Sequence, residues 1–159
     1  MNAAARGDAG YTFVEIAIVA AIVAILASAI MPLAKVTTQR EREIELRRNL
    51  REMRTAIDKF KDAYDNQKIA PNDLPSNTDG YPPTLQILLD GVRVNNDNTG
   101  ARLKFLRRIP MDPMTKTTEW GMRSTRDDPT SSSWGGQNVF DVHTKSDARG
   151  LDGTKYSDW

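Results

Sequence analysis

From Ile16 to Ala34 the chain carries no charge at all, only Ile, Val, Ala, Leu and Met with one Ser and one Pro. A run of that length and character predicts a helix able to cross a bilayer's hydrocarbon core. One carboxylate, Glu15, stands just inside its start. An acid in that position is costly in lipid, which makes it a candidate functional residue. Ala17, Ala20 or Ala21, Ala24 and Ala27 recur at helical spacing. Small residues so placed let helices approach closely in a membrane or a filament core, and serve equally well as plain apolar filler.

Beyond Pro32 the pattern becomes one-sided. Leu46, Leu50, Met53, Ile57, Phe60 and Tyr64 repeat at spacings of three and four, while Arg40 to Glu43, Arg47, Arg48, Arg51, Arg54, Lys59 and Lys61 crowd the other faces. That spacing predicts an amphipathic continuation of the first helix, ending near Lys68. Glu43 and Arg47 form a favourable i,i+4 pair. A continuous helix from Tyr11 to about Tyr64 would be roughly 80 Å long.

Pro71, Pro75, Gly80, Pro82 and Pro83 then mark a turn-rich loop. Thr84 as N-cap and Gly91 as stop bracket a predicted two-turn helix. Asn95 to Gly100 reads as a loop, and Leu103 to Ile109 as helix or strand. A strand is expected to begin at Trp120-Gly121, and Asn138 to His143 alternates as a strand does. Residues 123–136 read as a loop, and Leu151 to Trp159 as a turn leading to an aromatic. The fold class that results is α+β: a long N-terminal helix, half transmembrane and half amphipathic, packed on a small antiparallel-sheet head with long loops. The divisions are a leader over 1–10, an apolar helix over 11–34, its amphipathic continuation over 35–68 and a head over 69–159.

Composition narrows the function. Lys and Arg number 22 against 21 acids, a net charge of +1, so there is no basic excess to neutralise phosphates and no nucleic acid is expected as main partner. There is no Cys, and therefore no disulfide to hold the loops. His143 is the one histidine, and it lies within the alternating strand, where an ordinary hydrogen-bonded role is expected. Without a phosphate loop, HExxH or CxxC, no enzyme is expected.

Gly10, Tyr11, Thr12, Phe13, Val14 and Glu15, ahead of a long apolar run, resemble the class III signal of type IV pilin-like proteins. Asp8 and Ala9 stand where that family usually has a basic residue. The resemblance implies cleavage after Gly10 by a prepilin peptidase and N-methylation of Tyr11. It also implies assembly through Glu15 of an incoming subunit and the Tyr11 amine of its neighbour, and a helix bend at Pro32. In the head, a YP-then-Leu helix, the IPMDP turn at 109–113, short strands and the tail LDGTKYSDW are similar to the major pseudopilin of type II secretion systems.

This likeness implies a structural subunit of a periplasmic pseudopilus that drives protein secretion. Its partners would be further copies of itself, the prepilin peptidase, minor pseudopilins and the inner-membrane assembly platform. Before assembly it would cross the inner membrane once, with its head in the periplasm. The likeness also implies calcium in the C-terminal loop, where Asp147, Asp152 and Asp158 with Gly150 and Gly153 offer oxygen ligands and a flexible backbone. Thr154 and Lys155 stand where the family has two adjacent acids, and Tyr156 and Trp159 packing on the helix would hold the same turn without metal.

Other readings stay open. A surface type IV pilin would serve adhesion, motility or DNA uptake, but often carries a C-terminal disulfide that this chain lacks. A membrane-anchored periplasmic binding domain would remain monomeric and keep residues 1–10. A secretory signal would be cut at Ala27-Ser28-Ala29 and start the mature chain at Ile30. Lys35, Arg40 and Arg42 after the apolar run would place the head in the cytoplasm by the positive-inside rule, opposite to the motif.

Overall fold

The computed structural model describes residues 11–70, 73–97 and 99–159, the side chains of 29–34 excepted. The architecture is α+β: helix α1 spans Phe13–Asp65 and packs on small antiparallel strand pairs. The chain divides into two compact units, residues 1–39 and 40–159, with α1 contributing to both.

In the first unit every described side chain from Tyr11 to Ser28 is exposed, Phe13 at 87% and Ile25 at 69%. Among the described residues no helix is long and apolar enough to cross a membrane. The expected span of 11–34 runs into side chains that lie outside the described residues, and the part before them is shorter than the roughly 20 residues a span needs. Gly10 and the side chain of Pro32 also lie outside the described residues.

The second unit is organised by the amphipathic stripe. Leu46, Leu50, Met53, Ile57 and Phe60 are all buried, joined by Ala56 and Ala63. Against them pack Ile69, Leu88, Val92, Leu106, Trp120, Val139, Val142 and Tyr156. Tyr64, expected on the same stripe, is 42% exposed, and its ring lies over Gly80 and beside Lys61.

Helix α1 stops at Asp65, three residues short of the expected end. The amide of Lys68 donates to the Ala63 carbonyl and that of Gln67 to Tyr64, with Gln67 at a φ of 56°. This is a left-handed C-cap of the Schellman type. Glycine normally marks such a stop, and a glutamine in its place hid this one from the sequence.

Helix α2 is Gln86–Asp90, shorter than the two turns expected. Leu85, not Thr84, holds the N-cap position, and no side chain caps it. Gly91 ends α2 at a φ of 75°, where a Cβ would sit 2.7 Å from the Leu103 carbonyl oxygen. Only glycine turns there so close to a neighbouring strand.

Among the described residues the head holds two separate two-stranded antiparallel sheets rather than one. Strands β1 (Val92–Arg93) and β2 (Arg102–Leu103) pair Val92 with Leu103, while β3 (Gly121–Arg123) and β4 (Asp141–His143) pair Met122 with Val142. The expected strand at 138–143 is therefore halved. Asn138 is wholly buried, and its amide nitrogen donates to the Thr78 carbonyl at 2.9 Å while its Oδ1 accepts from the Thr125 amide, so it ties loops instead of extending a ladder.

His143 on β4 is 3% exposed, and its Nδ1 has no partner among the described residues. Burial lowers its pKa below the ordinary 6.5, with the Arg123, Arg54 and Lys145 charges adding to the effect and Asp141 opposing it. The unfolded chain therefore takes up a proton first as pH falls. Stability from this residue is complete above about pH 6.5 and declines below it. The melting temperature is expected to fall between pH 7.5 and 5.5, and His143→Gln to flatten that dependence. A wild-type slope retained in the variant would assign the effect to another group.

Candidate functional site

Two places gather the residues that the sequence singles out. The first is the opening turn of α1. The Thr12 hydroxyl accepts the Glu15 amide at 3.3 Å, which satisfies one of the unpaired N–H groups at the helix start. Thr12-Phe13-Val14-Glu15 has the T-x-x-E spacing of a capping box, a signal visible in the sequence and passed over there. Glu15 thus occupies the third helical position, where a negative charge also meets the positive end of the helix dipole. Tyr11, just before this turn, is 77% exposed. Behind these residues Ile16 to Ser28 present carbon to solvent on every face of the helix. Exposed apolar surface of that extent marks an interaction site with lipid or protein.

The second place is the C-terminal loop. Its turn is closed by mutual backbone bonds, Gly150 N to Thr154 O and Gly153 N to Gly150 O, and by the Arg149–Lys155 bridge. The Trp159 ring lies so close to Gly150 that a Cβ would come within 2.7 Å of it. Trp159 Nε1 donates to Thr154 Oγ1 at 2.6 Å, and the ring meets Tyr156 edge-on at a centroid distance of 4.9 Å.

Three side chains of α1, Glu43, Arg47 and Arg54, hold this turn. At spacings of four and seven they share one face of the helix. Glu43 Oε1 accepts both the Leu151 amide and the Tyr156 hydroxyl, each at 2.9 Å. The Arg47 guanidinium lies 4.1 Å over the Trp159 ring and 3.7 Å from Asp152. Arg54 grips Asp141 through Nε and Nη2 and donates to the Trp159 main-chain oxygen at 2.6 Å. Arg123, itself buried, donates to the Ser157 carbonyl at 3.0 Å. The sequence had suggested Glu43 and Arg47 as an intrahelical pair. Both reach across to the loop, a long-range role that helical spacing cannot reveal.

Among the described residues no three acid, His or Cys side chains gather as a metal-holding group, Asp147, Asp152 and Asp158 included. The Asp152 Oδ1 accepts from the Thr154 hydroxyl and amide, and these bonds, with Arg47 nearby, hold its carboxyl below the usual range. Asp147 and Asp158 are exposed. Glu43, from the helix, is a further carboxylate bonded to this loop.

No protein-family model matches the chain, and no curated protein or solved structure matches it either.

Proposed function

We propose that the chain is a type IV pilin-like filament subunit, most like the major pseudopilin of a type II secretion system. In this reading residues 1–10 are a leader removed after Gly10. The apolar helix lies in the inner membrane and then in the filament core, and the head remains in the periplasm. The observation that carries the reading is the opening of α1: apolar carbon exposed on all faces, with a single carboxylate in the capped first turn. A helix hydrophobic all round is stable only when buried in a membrane or among other helices. Copies of the same helix supply the second environment, and a neighbour's Tyr11 amine would neutralise Glu15 there.

Mass spectrometry of the mature N-terminus, on protein from its native host, tests this directly. The chain is expected to begin at Tyr11 with one added methyl group on its amine. A retained leader would favour the monomeric anchored domain, and a start at Ile30 the secretory signal.

A further inference from the structure

The helix face of the second unit that avoids the C-terminal loop borders an open groove of about 460 Å³. Its cations are Arg48, Arg51 and Lys59 of α1 and Arg107 of the segment after β2, and Glu52 is its one carboxylate. Among the described residues none of these four cations has an ion-pair partner. The floor between them is carbon: Ala56, the half-buried ring of Phe105, which packs on Phe60 at 5.1 Å, and Leu106.

The geometry points to a docking groove for an extended acidic peptide segment of a partner protein, one in which carboxylates alternate with apolar side chains. Arg48 and Lys59 lie eleven residues apart, a rise of about 16 Å along the helix. An extended chain covers that distance in about five residues. A carbon floor flanked by cations complements a segment that offers apolar and acidic side chains in turn. Arg forks favour carboxylate partners geometrically.

Other occupants fit less well. A small phosphate would meet only one or two cations, because they are spread along the groove, and would gain nothing from the floor. A nucleic acid would meet Glu52 and a chain of net charge +1. A second copy would have to offer an acidic segment with apolar neighbours. Asp127 and Asp128 are already bonded to Ser124, Gly135 and Thr130, and Pro129 is the one apolar side chain between Arg126 and Thr130. The inference stands apart from filament assembly, since it concerns the second unit alone.

Fluorescence anisotropy with the full chain in detergent micelles tests it. The probe is a short dye-labelled peptide of alternating aspartate and leucine, beside its asparagine counterpart, labelled duplex DNA and inorganic phosphate as competitor. The aspartate peptide is expected to bind, with affinity falling as salt rises. Arg51→Glu and Lys59→Glu should each weaken it by about tenfold, Arg51→Gln by less, and Arg126→Glu not at all. Circular dichroism melting of each variant checks that the head is intact. Equal binding of the asparagine peptide, or unchanged affinity in both groove reversals, would overturn the proposal. So would stronger binding of DNA, full competition by phosphate at equal concentration, or self-association abolished by Arg51→Glu.

Discussion

Glu15→Ala is expected to reach the membrane and be processed normally, yet to yield filaments reduced by tenfold or more. In a filament core of apolar helices an unpaired charge is expensive, and removing one partner of a buried pair costs about 3–5 kcal/mol. On that scale even a partly wet pair shifts an assembly equilibrium by at least about a factor of ten. The Thr12 contact supplies the sharp control. If Glu15 acted only as part of a helix cap, Thr12→Val, which removes the capping oxygen and costs about 1 kcal/mol, would impair assembly comparably. Assembly through charge gives the opposite pattern: Thr12→Val assembles, while Glu15→Gln, close in shape but neutral, fails like the alanine variant. Filaments at wild-type level in Glu15→Gln would end the charge-pairing account. Electron microscopy of sheared filaments with quantitative immunoblotting reads the outcome.

The second large effect is expected at the C-terminal loop. Tyr156 is 2% exposed and bonded to Glu43, so Tyr156→Ala removes a buried ring together with its anchor, a loss of about 3–5 kcal/mol. Tyr156→Phe keeps the ring and should cost only about 1 kcal/mol, since Glu43 retains the Leu151 amide. Arg54→Met should cost about 1–3 kcal/mol: the side chain is 37% exposed, but its loss strips partners from Asp141 and from the Trp159 oxygen. Thermal unfolding of the full chain in detergent measures all three. In the same scans calcium and chelator are expected to give coincident transitions if the contacts of Glu43, Arg47 and Arg54 fasten the loop without an ion. A midpoint raised by several degrees in calcium would show that carboxylates rearrange around an ion and would restore Asp147, Asp152 and Asp158 as ligands.

Local periodicity made much of the fold legible. The stripe from Leu46 to Phe60 is buried as its spacing requires, because one face of a helix has one neighbour. Gly91 marks the end of α2, as a glycine with positive φ should, and β3 begins at Gly121 beside the expected Trp120. Where the reading failed, an unusual residue held a standard position. Gln67 adopts the left-handed stop of α1, and Leu85 occupies the cap position expected of Thr84. Asn138 shows the other kind of failure: its place in an alternating run suggested a strand, but its amide is spent on Thr78 and Thr125.

By itself the sequence determined a long helix that changes from wholly apolar to one-sided, an α+β head, and a lone acid at the helix start. These depend on hydrophobic spacing and on residues near one another in the chain, which obey the geometry of a single element. Only the tertiary structure decided what fastens the C-terminal loop. Glu43 meets Tyr156 and Leu151, Arg54 meets Asp141 and Trp159, and Arg47 covers the Trp159 ring, all across about a hundred residues of chain. Such pairings leave no periodic trace, because each charged side chain on an exposed helix face looks alike until folding brings one of them to a buried hydroxyl, a main-chain oxygen or an aromatic ring.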